Sequence, residues 1–199
     1  MRILLVGASG TIGRAVAAEL GSRHEIVAAG RTSGDVTMDI TDRASIEAGF
    51  KAAGPLEAVV SAAGHVKFAA FEDMEAADYE IGLRDKLMGQ VNLVLVGRRF
   101  VADGGSFTLT TGVLDCDPIR MGSSASMVNG AINAFVIAAA IEMPKGQRIN
   151  VVSPGVIQEA MENYAPFFRG FEPVPAARAA LAYAKSVEGA QTGQVYRVA

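Results

Sequence analysis

The chain has 199 residues, half of them apolar, enough for one sizeable core over residues 1–199 and too few for two comfortable domains. Its formal charge of −3, with no run of Lys or Arg, gives no footprint for nucleic acid or an anionic membrane, so small molecules are the expected partners. The sole cysteine, Cys116, has no disulfide partner, two histidines make no metal-ligand cluster, and no targeting segment or membrane span is visible, so a metal-free cytoplasmic protein is expected.

Arg2 to Val6 reads as a first buried strand. It runs straight into Gly7-Ala8-Ser9-Gly10-Thr11-Ile12-Gly13, and that into a helical stretch from Ala15 to Leu20. Strand, glycine triplet and helix in this register form the dinucleotide fingerprint. A pyrophosphate needs bare backbone N–H groups, a tight turn and the positive end of a helix, and glycine removes the Cβ that would block each. Gly7, Ser9, Gly10, Thr11, Ile12 and Gly13 are therefore candidate cofactor contacts, a purely structural turn being the alternative. The second strand, Glu25 to Ala29, leads into Gly30-Arg31-Thr32-Ser33, where an NAD site commonly places a carboxylate for the ribose 2′-hydroxyl. Arg31 suits a 2′-phosphate instead, with Thr32 and Ser33 as neutral donors, so NADP(H) is expected over NAD(H). The competing view is that Arg31 merely snorkels at a strand end. Arg14 either adds charge to the same pocket or faces solvent.

Further strands are expected around Val36 to Met38, Ala58 to Ser61, Ser106 to Thr110, Ile149 to Val152 and Gln194 to Val198, making seven. Their alternation with helical patterns means an α/β protein whose parallel sheet is covered on both faces. Ala131 to Ile141 is apolar almost all round, more than packing on one sheet requires. The segment from Ala165 to Pro175, rich in Pro and Phe, is either a mobile flap or a loop tucked on the core.

These residues resemble the short-chain dehydrogenase/reductase family. Asp39-Ile40-Thr41-Asp42, Ser61-Ala62-Ala63-Gly64, Arg148 to Gly155 and Thr192-Gly193-Gln194-Val195 extend the likeness over nearly the whole chain. The resemblance implies a Rossmann doubly wound sheet in the order 3-2-1-4-5-6-7. It implies that Asp39 and Ile40 border the adenine, that Ser61, Ala62, Ala63 and Gly64 line the cofactor, and that Pro154, Gly155 and Ile157 pass beside the nicotinamide. It also implies pairing of the apolar helix with its copy in a homodimer or homotetramer.

One departure bears on chemistry. Carbonyl-reducing members of the family use a Ser, a Tyr and a Lys, the last two spaced Y-x-x-x-K on one helix. Here Ser123-Ser124-Ala125-Ser126-Met127 matches the common Y-S-A-S-K, with Ser123 for Tyr and Met127 for Lys. The serine position falls on Thr110 or Thr111, and Lys86-Leu87-Met88-Gly89 resembles N-L-x-G with Lys86 for Asn. Tyr164 and Tyr183 offer no Y-x-x-x-K in another frame. Lys86 is expected to point into the pocket and either orient the ribose or relay a proton through Ser123 or water, a solvated helix lysine being the alternative. His65 is a further candidate at the pocket mouth, or a plain loop imidazole. Two functions stay open: an NADP(H)-dependent oxidoreductase with an unorthodox proton donor, and a non-catalytic NADP(H)-binding redox sensor or regulatory subunit.

Overall fold

Alternate side chains of strand β1 (Arg2–Val6) point to opposite faces, and both faces are apolar: Ile3 and Leu5 look one way, Leu4 and Val6 the other, all fully buried. A strand buried on both sides must lie between two helical layers. In the computed structural model, which describes Met1 to Ala199, that is its position. β1 is followed by α1 (Thr11–Gly21), β2 (Glu25–Gly30), β3 (Val36–Thr37), α2 (Arg43–Ala53) and β4 (Leu56–Ser61). Then come α3 (Ala76–Gly82), a π-helical turn (Leu83–Leu87), α4 (Met88–Gly97), β5 (Val101–Thr110) and α5 (Ser123–Glu142). The chain ends through β6 (Arg148–Pro154), α6 (Met161–Tyr164), α7 (Ala176–Glu188) and β7 (Val195–Val198).

All seven strands form one parallel sheet in the order β3-β2-β1-β4-β5-β6-β7, the doubly wound arrangement expected from the sequence. On one face α2, α4 and α5 bury Ile46, Phe50, Leu93, Ile132 and Val136 against Leu4, Val59, Phe107 and Val151. On the other, α1 and α7 bury Val16, Leu20, Ala180, Tyr183 and Val187 against Ile3, Leu5, Val60 and Val152. The strand order reverses beside β1, between β1 and β4, so the carboxyl ends of these strands open onto a crevice.

α5 is long and apolar enough to cross a membrane by length and composition, yet seven of its twenty residues are buried within the fold. Its outer side leaves Ile137 and Ile141 at 53% and 86% exposure. The Ala165 to Pro175 segment is packed in place. Phe168 is buried with Leu114, Ala125 and Val156, its ring edge-on to Tyr164 and Phe171, and Val174 exchanges backbone hydrogen bonds with Val156 and Gln158.

Candidate active site

Two adjoining hollows occupy the crevice. The first, about 450 Å³, runs from the turn after β1 to the end of β2 and is lined by Gly7, Ser9, Arg31, Thr32, Ser33 and Ile40, with Ala63 and Gly64 closing its side. α1 begins at Gly10 with no side-chain cap, leaving first-turn N–H groups as donors to whatever enters. The only protein atom near the face of Gly10 is the Gly7 carbonyl oxygen, 3.4 Å from where a Cβ would stand. This bare, donor-rich cradle fits a dinucleotide pyrophosphate. Thr11, Ile12 and Gly13 form the first turn itself, with Ile12 packed into the core beneath. Arg14 lies on the outside, where its guanidinium donates to the Ser9 carbonyl and so braces the turn. Ser61 and Ala62 act from below: the Ser61 carbonyl accepts from Thr110, and the Ala62 N–H bonds to Val6.

Arg31 is not alone in this groove. Its guanidinium lies 3.3 Å from Asp39 and 3.3 Å from Asp85, and Asp85 in turn accepts the His65 N–H at 2.8 Å. Thr41, through its hydroxyl and its N–H, and then Arg31 hold the Asp39 carboxyl below the usual carboxylate range. Asp85 gave no signal in the sequence because it comes from the π turn, far along the chain. With Arg31 60% exposed, these ion pairs are weak and leave the guanidinium free to turn toward a phosphate.

The second hollow, about 310 Å³, opens beyond Gly64 and is walled by Thr111, Gly112, Ala125, Asn129, Pro154 and Gly155, with Val156 and Ile157 behind. Its outer wall is aromatic, Phe68, Tyr164 and Phe168, and it shares His65, Val66, Phe68 and Tyr164 with an apolar annex of about 420 Å³. Lys86 enters from the π turn, packed so tightly on Gly64 that a Cβ there would lie 2.6 Å from the Lys86 Cγ. The Lys86 residue as a whole is half-buried. Its ammonium donates to Asn129 Oδ1 at 2.8 Å, with the Thr111 carbonyl at 3.5 Å. No carboxylate pairs with it, and burial pushes its pKa down to about 8.

The residues expected to form the catalytic group do not all meet there. Thr111 lines the cavity, its hydroxyl donating to Asn133 Oδ1 at 3.1 Å. Thr110 does not: its side chain turns to the other face of the sheet, where its hydroxyl lies 2.5 Å from the Ser61 carbonyl and 2.6 Å from the Tyr183 hydroxyl. Ser123 is also outside. Its hydroxyl is 2.9 Å from that of Tyr79, and it borders a separate surface recess with Met121 and Phe167, while Met127 is 41% exposed. The α5 residues that reach the cavity are Ala125 and Asn129, one helical turn apart. The match of Ser123-Ser124-Ala125-Ser126-Met127 to Y-S-A-S-K is thus out of phase by two residues, a rotation of about 200° on a helix of 3.6 residues per turn. A proton relay from Lys86 through Ser123 has no path.

A family model described as enoyl-(acyl carrier protein) reductase matches residues 7–196. The chain belongs to the short-chain dehydrogenase/reductase family. This is a family of NAD(P)-binding oxidoreductases. The crystal structure of lin1944 from Listeria innocua is 51% identical, both chains are covered in full, and the TM-score is 0.99. A small-chain dehydrogenase in complex with NADPH is 25% identical over 100% of this chain and 96% of its own, with a TM-score of 0.88. An uncharacterized oxidoreductase of Methylorubrum extorquens is 29% identical over 126 residues, 62% of this chain; the chain spans about half the length of that relative. The two α5 residues that face the cavity at a four-residue spacing, Ala125 and Asn129, carry neither a phenol nor an ammonium.

Proposed function

We propose that the protein is an NADP(H)-dependent oxidoreductase that interconverts a carbonyl and an alcohol on a compact molecule with an apolar body. The observation that carries this reading is the continuity of the two hollows: a phosphate-type cradle at α1 leads past Gly64 directly into a cavity with one polar wall, Thr111, Lys86 and Asn129, and one aromatic wall, Phe68, Tyr164 and Phe168. Gly7, Ser9, Gly10 and Thr11 would hold the pyrophosphate. Asp39 and Ile40 would border the adenine, and Pro154, Gly155 and Ile157 would flank the nicotinamide. Bound there, a reduced nicotinamide supplies a hydride. The test is NADPH oxidation against a panel of aliphatic and aromatic aldehydes, ketones and enoyl compounds, alongside calorimetric titration with NADPH. Turnover of carbonyl members supports the reading; tight cofactor binding with no turnover across the panel favours the redox-sensor alternative.

Preference for the 2′-phosphate rests on Arg31, Thr32 and Ser33 in the groove, and the NADPH-bound relative is in keeping with it. A charge-assisted hydrogen bond contributes about 1.5–3 kcal/mol, roughly 10- to 100-fold in affinity. Arg31→Ala is expected to weaken NADPH by about that factor and to leave NADH within about threefold. Equal losses for both nucleotides in calorimetry would assign Arg31 to the loop alone.

We further propose that a second copy of the chain covers α5 in a cytoplasmic homodimer or homotetramer. Ile137 and Ile141 stand exposed beside an apolar groove between α4 and α5 that includes Val94, Leu95, Phe135 and Ala139. Ile141→Glu is expected to shift the scattering mass from a multiple of the 20.7 kDa chain mass to that mass itself. A wild type that already scatters as one chain at all concentrations disproves the assembly.

A further inference from the structure

The Lys86 ammonium is shielded from bulk solvent with no carboxylate beside it, and it stands on the wall of the cavity rather than in the core. An ammonium in such a place is costly, and structures keep one where its proton or its charge is used. Its hydrogen bond to Asn129 and the Thr111 carbonyl engage at most two of its three N–H donors, so one remains for a ligand in the cavity. Asn129 is itself held, its amide donating to the Gly112 carbonyl at 3.2 Å, which leaves its Oδ1 as a fixed acceptor for the ammonium. The other titratable groups lining the cavity are His65, from the loop after β4, and Tyr164, from α6; Asp85, next to Lys86 in the π turn, is occupied by the His65 N–H and Arg31. Tyr164 belongs to the aromatic edge-to-face cluster on the opposite wall.

We propose that Lys86, aimed by Asn129, is the group that gives the carbonyl oxygen its proton in reduction and takes it back in oxidation. This inference rests on the oxidoreductase reading above. As hydride arrives at the carbonyl carbon, the C=O π pair moves to oxygen and becomes the new O–H bond while an Nζ–H bond of Lys86 breaks. The product is an alcohol. The neutral amine left behind regains its proton from water. Lys86 is thus the catalytic residue and Asn129 a positioning residue.

The proposal is tested on the full chain with Lys86→Met and with the exchange K86N/N129K, which returns an ammonium to the same contact from the opposite helix. General acids contribute about 10²- to 10⁴-fold. Carbonyl reduction by K86M is expected to fall at least about 100-fold in kcat, with the Kd for NADPH changed less than about threefold, and the exchange variant is expected to recover at least about a tenth of the wild-type rate. In the wild type, reduction should decline and alcohol oxidation should rise through one midpoint near pH 8, and K86M should show neither limb. A readout independent of turnover is lysine 13Cε NMR: of five lysines, the signal lost in K86M should titrate near pH 8 and move when cyclohexanone is added to the NADP-loaded protein.

Retention of kcat by K86M within about threefold, or a Lys86 signal that titrates at the ordinary lysine value, overturns the proposal while leaving the oxidoreductase reading intact. So does a loss confined to NADPH affinity, which would make Lys86 a cofactor anchor, or loss of turnover in Tyr164→Phe with K86M active. If the wild type reduces nothing on the panel while the Lys86 signal titrates near pH 8 and responds to cyclohexanone, the oxidoreductase reading is what fails and the lysine's contact with a carbonyl oxygen stands.

Discussion

Gly13→Ala is expected to abolish NADPH binding and to lower Tm by about 10 °C. A Cβ on Gly13 would stand 2.1 Å from the Gly7 carbonyl oxygen and 2.9 Å from the Ala8 Cα, both backbone atoms of the same turn. Side chains adjust by rotating; these atoms move only if the turn opens, and opening it removes the cradle. Overpacking of this kind costs about 3 kcal/mol, and for a domain of this size each kcal/mol lowers Tm by about 2–4 °C. Gly10→Ala makes the informative contrast. Its Cβ would meet one protein atom, at an ordinary 3.4 Å, and would project where a phosphate is expected. Tm should therefore stay within about 2 °C of wild type, while calorimetry shows weakened NADPH binding. If Gly13→Ala binds NADPH as well as wild type, the pyrophosphate does not lie against this turn.

Lys86→Met is expected to make the protein more stable at neutral pH, and the gain should vanish as pH rises. Burial lowers the Lys86 pKa from 10.5 to about 8 because the folded state offers the ammonium less solvation than water does. Below pH 8 the group is charged in both folded and unfolded chains and the full penalty applies. Between about pH 8 and 10.5 the folded protein releases its proton while the unfolded chain keeps it, so wild-type stability climbs with pH through this window. The displacement is equivalent to about 3 kcal/mol, reduced to roughly 2 because the cavity admits solvent and the Asn129 hydrogen bond is lost with the lysine. K86M should accordingly unfold about 5 °C higher at pH 7 and match the wild type near pH 10.5. A variant less stable than wild type at pH 7, with a deficit that persists at high pH, would show that the ammonium is a structural support. Stability gained where activity is lost is the usual sign of a residue retained for function.

The nucleotide half of the site is legible in the sequence because its parts are local. Strand, glycine turn and helix occupy consecutive residues from Arg2 to Gly21, and the geometry of the turn depends on residues that touch one another along the chain. The parallel sheet follows from alternation, and its observed order matches that of the family. The chemical half is not local. α5 is apolar on nearly every side, so its sequence carries no phase; which face meets the cavity is decided by Ser124, Val128, Ile132 and Val136, which pack inward at intervals of four. Letter matching alone favoured Ser123 and Met127, and packing places Ala125 and Asn129 there instead. Lys86 was legible as a substitution in N-L-x-G, whereas its partner Asn129 became visible only when two helices were brought together. The π turn from Leu83 to Leu87 that presents Lys86 to the cavity and Asp85 to Arg31 has no sequence signature of its own, although such turns recur at functional sites.

The wall residue Thr111 is tied to the far end of the chain. Its hydroxyl donates to Asn133, the Asn133 amide donates to Asp115 at 2.8 Å, and Asp115 is gripped by Arg197 of β7 through both terminal nitrogens, at 3.1 and 2.9 Å. Both halves of the crevice therefore lean on the end of the chain: α1 packs against α7, and the polar wall gains its final brace only when residues 195–198 join the sheet.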